Sequence, residues 1–215
     1  MSPRRGFYVI VPLEYRSTGS PPPTWFIDDL MRFLAQPYYV GLLSAAAVHG
    51  AGHQQPMAFQ VITDRPTREI RIGRQRIEFH MNRQIQSLPT LGIQTDTGTM
   101  RVSTPEATAY DLVRYASSAG HLDNVATVLD ELAEKIEAEN LVKLATCLPV
   151  PVVQRLGYLL DMLEKRDLAD PLAAWLSSRR NRPVLLATGR GLSDQDAKAD
   201  PRWRVIPNVT LEPDL

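Results

Sequence analysis

Apolar and charged residues alternate over Glu69-Ile70-Arg71-Ile72 and again over Gln75-Arg76-Ile77-Glu78-Phe79-His80-Met81, with Gly73-Arg74 between them. A period of two puts Ile70, Ile72, Ile77 and Phe79 on one face and the charges on the other, which predicts a β-hairpin. Further strands are expected over Gly6-Phe7-Tyr8-Val9-Ile10-Val11-Pro12, where proline stops the run, over Met57 to Thr63, and over the short Met100-Arg101-Val102. Elsewhere the period is helical. Phe26, Leu30, Phe33 and Leu34 oppose Trp25, Asp28, Asp29 and Arg32, predicting an amphipathic helix with Thr24 as N-cap. Val40 to Gly50 reads as a helix of small residues ended by glycine. Pro105 to Tyr115 reads as a helix entered through Ser103 or Thr104, with Glu106 completing a capping box to Ser103. Leu122, Val125, Ala126, Leu129, Leu132, Ala133 and Ile136 mark another, Val152 to Lys165 a third, and Asp170-Pro171 opens a last one through Trp175 and Leu176. Val184 to Leu186 and Trp203 to Ile206 are expected to fold back as strands. The sum is an α+β fold, a small mixed β-sheet flanked by helices with a helix-rich C-terminal half.

Ser17-Thr18-Gly19-Ser20-Pro21-Pro22-Pro23 has the composition of a semi-rigid linker, so residues 1–23 are expected to stand apart from a domain over 24–215. Hydrophobic residues are 44% and charged residues 22%, near globular averages, and no run reaches the roughly 18 apolar residues of a membrane helix. The start is too short and proline-interrupted for a signal peptide, and a lone Cys147 forms no internal disulfide, so a cytoplasmic setting is expected. Twenty-four basic residues balance twenty-four acidic ones, which excludes a histone-like, wholly electrostatic nucleic-acid binder. The charge is uneven, with ten arginines against seven acids in residues 1–100. Twenty of the twenty-four basic residues are arginine, whose planar fork suits phosphate; a GC-rich genome gives the same skew.

Candidate chemistry is sparse. His49 and His53 have the i,i+4 spacing of zinc ligands, but Gly50 and Gly52 interrupt the helix that spacing needs, so no metal and no cofactor is expected. Asp64 and Glu78-Phe79-His80 resemble the D…E-x-K metal site of restriction-endonuclease-like nucleases with the lysine missing. A nuclease, degenerate or active, using Asp64 and Glu78 is therefore one alternative function, and a protein-interaction module is another. Thr188-Gly189-Arg190-Gly191 lacks the Lys-Ser/Thr ending of a phosphate-binding loop and reads as a turn. Cys147 reads as a small core residue on a helix. Above this background stand six arginines in the nineteen residues from Arg65 to Arg83. Arg68, Arg71, Arg74 and Arg76 are the expected nucleic-acid or partner-binding residues, an exposed basic ribbon capped by Arg74 at the turn. The competing reading is a solvated hairpin that blunts a sheet edge with charge.

Three blocks in order, Tyr38 to Gly50, Phe59 to Thr63 and Val102 to Leu112, resemble the AbiEi antitoxin family of transcriptional regulators. Ser44 to Gly50, Val61 to Thr63 and Ser103 to Leu112 match the family's small-residue helix, its valine-rich strand and its Ser-Pro-Glu-type helix, and the likeness runs roughly from Gly6 to Glu164. The resemblance implies a non-enzymatic antitoxin of a type IV toxin–antitoxin system, an abortive-infection device. It implies a nucleotidyltransferase-like toxin countered without a stable complex, and repression of the chain's own operon. Family members read operator DNA through an N-terminal winged helix-turn-helix, of which Gly6 to Pro12 resembles the last wing strand. The ribbon is then left with weak, non-specific nucleic-acid binding.

Overall fold

The structure is a computed structural model that describes residues 1–52, 56–189 and 198–214. Its α+β architecture agrees with the sequence pattern, and it divides into two compact units: one of Met1–Val48 with residues 56–104, the other of His49–Gly52 with the described residues from Pro105 onward.

The first unit is built on a six-stranded mixed sheet. In chain order its elements are α1 (Ile27–Phe33), β1 (Tyr38–Val40), α2 (Leu42–Val48), β2 (Phe59–Thr63), β3 (Ile70–Ile72), β4 (Gln75–Met81), β5 (Thr90–Thr95) and β6 (Gly98–Ser103), and the strands lie in the order β3-β4-β2-β1-β6-β5. β1 pairs antiparallel with β2 and parallel with β6, while β2 and β4 are parallel. Tyr38, Val40, Val61, Ile70, Ile77, Met100 and Val102 form one hydrophobic cluster with Ile27, Leu30 and Met31 of α1. On β2 the intervening Gln60 serves α2: its Oε1 accepts the Leu43 N–H at 3.0 Å, and its own N–H donates to Ser44 Oγ at 2.9 Å. A neighbouring strand thus satisfies an orphan donor in the first turn of a seven-residue helix. The chain turns from β1 into α2 at Gly41, where an added Cβ would lie 2.8 Å from the Ile62 side chain.

Several expectations change. The helix expected over Val40 to Gly50 yields its first residue to β1, because an unpaired central strand would leave buried backbone groups without partners. Thr24 sits inside a 3-10 turn, Pro23–Trp25, and α1 starts after Phe26 with no side-chain cap. Its buried face is Ile27, Leu30 and Met31, while Phe33 is exposed. Gly6 to Pro12 forms no strand; a single bridge joins Arg4 to Phe7, and Val9 is buried in the core cluster. The Ser17 to Pro23 stretch is also packed: Ser20 Oγ donates to the Ile72 carbonyl at 3.2 Å and the Thr18 carbonyl accepts the Arg74 N–H at 3.1 Å. Small and proline residues let this backbone approach edge strand β3 closely, which shields that edge. β5, too polar to stand out in sequence, is recruited as the antiparallel partner of β6.

The second unit contains α3 (Pro105–Arg114), α4 (His121–Leu132), α5 (Ala138–Ala145), α6 (Val150–Met162) and α7 (Arg166–Ser177), followed by the parallel pair β7 (Val184–Leu185) and β8 (Val205–Ile206). Ser103 ends β6, so Thr104 is the residue that precedes the helix at Pro105. Buried Glu106 accepts the Glu137 N–H at 3.1 Å, which caps α5, and the Tyr110 hydroxyl donates to the Leu141 carbonyl at 3.0 Å. Burial pushes the Tyr110 phenol well above its ordinary pKa, so it remains a donor. α7 begins before the expected Asp170-Pro171 and contains Pro171, at the cost of one backbone bond in its second turn. Cys147 is exposed just after α5 rather than in a core.

The tail docks on α6 around Trp203, beside an Arg202–Asp161 ion pair at 3.1 Å. Trp203 is fully buried, its indole N–H donates to Asp161 Oδ2 at 2.5 Å, and its carbonyl accepts from Gln154 at 2.8 Å. The ring fills the notch left by Gly157, where an added Cβ would lie 1.9 Å from ring carbon Cζ3. In an exposed helix, Gly to Ala stabilises by about 1 kcal/mol. Here the sign reverses: Gly157→Ala is expected to lower stability by about 1–3 kcal/mol in urea unfolding, because the ring must leave its seat. A gain in stability would show that the ring does not sit there.

Candidate nucleic-acid interface

The arginine ribbon lies on the β3–β4 hairpin, in the register its alternation predicts. Ile70 and Ile72 are buried with Arg71 exposed between them, and Ile77 is buried with Arg76 exposed before it. Gly73 makes the turn at φ +54°, and an added Cβ there would meet the Thr18 carbonyl oxygen at 2.3 Å, so both conformation and packing select glycine. Arg71 and Arg76 stand directly opposite each other across the two strands. Like charges in that position repel, and a carboxylate resolves the conflict. Glu69 Oε1 accepts from Arg71 Nε, and Glu69 Oε2 accepts from Arg76 Nε at 2.9 Å. Arg76 also reaches Glu78 Oε1 at 2.5 Å. Arg71, followed by Arg76, holds the Glu69 carboxyl below its ordinary pKa, and Glu69 with Glu78 raises that of Arg76.

Two of the four expected arginines are therefore tied to acids on their own sheet. Arg68 and Arg74 are exposed and make no ion pair among the described residues. A cation the sequence did not associate with them, Arg4, is brought alongside, its Nη2 donating to the Arg68 carbonyl at 2.7 Å. Sixty-four residues separate the two, so no local pattern pairs them. The surface offers two or three free guanidiniums to an anion, with no aromatic residue among Arg68, Arg71, Arg74 and Arg76 for base stacking.

The other candidates are not assembled. Glu78 pairs in register with Gln60, and Asp64 lies four residues further along that strand direction, about 13 Å away at 3.3 Å per residue. Carboxylates that share one metal ion converge to within a few ångströms, so Asp64 and Glu78 do not form a nuclease site. No cluster of three or more His, Cys, Asp or Glu suited to a metal occurs among the described residues. His53, Arg190 and Gly191 lie outside the described residues. Among the described residues no helix is long and apolar enough to cross a membrane.

The AbiEi antitoxin C-terminal domain profile matches residues 39–162. That range holds all but Tyr38 of the three blocks noted in the sequence. The fold is similar to the crystal structure of the RV2827C protein from Mycobacterium tuberculosis, with a TM-score of 0.62 and 18% identity, covering 86% of this chain and 67% of that one. No curated protein matches the sequence.

Each arginine–phosphate contact steepens the dependence of log affinity on log salt by about 0.9 for duplex DNA. With Arg71 and Arg76 engaged, the slope is expected to be about −2, alike for any duplex sequence. Glu69→Gln is expected to free Arg71, while Arg76 stays with Glu78, and so to tighten binding and steepen the slope, whereas Arg68→Ala with Arg74→Ala flattens it. Unchanged binding in both variants, by fluorescence anisotropy across salt, would leave the hairpin as a solvated sheet edge. His80 on β4 supplies a pH test. Burial, opposed by Glu78, lowers its pKa, so the folded state favours neutral imidazole and loses stability as pH falls below the ordinary imidazole range. Between pH 7 and pH 5 the melting temperature is expected to fall more for the parent than for His80→Gln.

Proposed function

Because the chain belongs to the AbiEi antitoxin family of transcriptional regulators, we propose that it is the antitoxin of a type IV toxin–antitoxin system and a regulator of its own operon. The observation that carries this reading is the match over residues 39–162, which takes in strand, helix and buried capping positions from both units. In this reading the chain is not an enzyme. It works in the cytoplasm and counters a nucleotidyltransferase-like toxin encoded beside it without holding that toxin in a stable complex.

Operator reading is assigned to a winged helix-turn-helix of the kind the family carries ahead of this domain. Arg68 and Arg74 add weak, sequence-independent phosphate contacts. A hairpin with two free arginines supplies attraction without discrimination, because base edges are read by side chains seated in a groove.

Colony counts with an inducible gene for the neighbouring nucleotidyltransferase test the proposal. Co-expression of this chain is expected to restore growth, while the two proteins run separately in size-exclusion chromatography. Failure to restore growth overturns the antitoxin role, and a stable co-eluting complex overturns the type IV assignment.

A further inference from the structure

The helical unit contains a pocket of about 240 Å³, lined where α3 ends and where α4 and α6 begin. Val113, Leu122, Val152 and Leu186 give it apolar walls. Two arginines line the same space, Arg114 at the last position of α3 and Arg155 on α6. Arg114 Nη1 is buried and has no hydrogen-bond partner. The group lies 5.4 Å from the Tyr115 ring centroid, which stabilises the charge without satisfying the N–H. Arg155 is half-buried and donates through Nε to the Leu185 carbonyl at 2.8 Å. Burial lowers its pKa, the mark of a charge partly stripped of water. Neither arginine has an ion pair among the described residues. One acid, Asp123, is on the same lining, and its Oδ1 accepts the Glu212 N–H at 2.8 Å.

Two cations against one acid leave the lining with a net positive charge, and the two guanidiniums repel each other and lose hydration. A bound anion offsets that charge. The arginine fork matches carboxylate and phosphate alike, but a phosphomonoester offers three acceptor oxygens and can engage two guanidiniums at once, whereas the two oxygens of a carboxylate match one fork. Apolar walls around a few convergent polar groups are the general form of a small-molecule site. We propose that this pocket binds a small phosphomonoester, with Arg114 and Arg155 holding the phosphate and the apolar walls holding the organic body. The inference does not depend on the antitoxin reading, since binding and growth rescue are separate measurements.

The test is calorimetry and thermal melting of the whole chain with phenyl phosphate, inorganic phosphate and benzoate as probes. Phenyl phosphate is expected to bind with a sub-millimolar Kd and raise the melting temperature, with inorganic phosphate and benzoate each at least tenfold weaker. Arg114→Gln removes a buried N–H that has no partner, so this variant is expected to melt no lower than the parent without ligand, yet to bind phenyl phosphate at least tenfold more weakly. Arg155→Lys keeps the charge but loses the fork, and is expected to bind at least fivefold more weakly. The proposal is overturned if phenyl phosphate does not bind, if inorganic phosphate binds as tightly, or if folded Arg114→Gln binds like the parent.

Discussion

The sheet of the first unit depends on three residues. In the order β3-β4-β2-β1-β6-β5, Tyr38–Val40 is the strand that joins the β3-β4-β2 half to the β6-β5 half. All three residues are buried, so every backbone group must find a partner on a neighbouring strand. β2 supplies one side antiparallel and β6 the other in parallel, from segments that lie more than twenty and more than sixty positions away in sequence. The surrounding features serve this strand. Gly41 lets the chain leave it sharply, Gln60 on its neighbour caps the helix that follows, and the Tyr38 hydroxyl donates to Asp28 Oδ1 at 2.8 Å. The Tyr38 phenol is pushed above its ordinary pKa, burial being the largest cause, and so stays protonated in that role.

Charge follows a different logic from its density in the sequence. The densest run of arginines lies on an exposed hairpin, where Glu69 and Glu78 cancel two of them. The carboxylates are there because the strand register sets Arg71 against Arg76, a pairing that needs an acid between them. Arg114 and Arg155 are isolated in the sequence, and in the helical unit they line one cavity without an ion pair among the described residues, with Asp123 as the acid on the same lining. An unpaired cation away from water is a stronger attractor than a paired one in it, because the dielectric around it is lower.

The pattern of the sequence determined a good deal. Period-two alternation marked the β3–β4 hairpin, its turn and the inward faces of Ile70, Ile72 and Ile77, because a half-buried strand must alternate. Period 3.6 marked α3, α4 and α6, and the apolar pairs Val184–Leu185 and Val205–Ile206 marked the two short tail strands. The ordered small-residue, valine-rich and proline-started blocks carried the family. What only the tertiary structure decided was pairing between distant segments. Val40, the last residue of β1, reads as the start of a helix until β2 and β6 are set beside it, and polar β5 does not stand out until β6 recruits it. The proline run reads as linker until edge strand β3 gives it something to cover, and Gly157 is an unremarkable helix residue until Trp203 arrives from forty-six positions away. The same holds for Arg114 and Arg155, which two separate helices bring to one cavity. Local patterning records which face of an element is buried, whereas the identity of what buries it is a long-range choice that no local window contains.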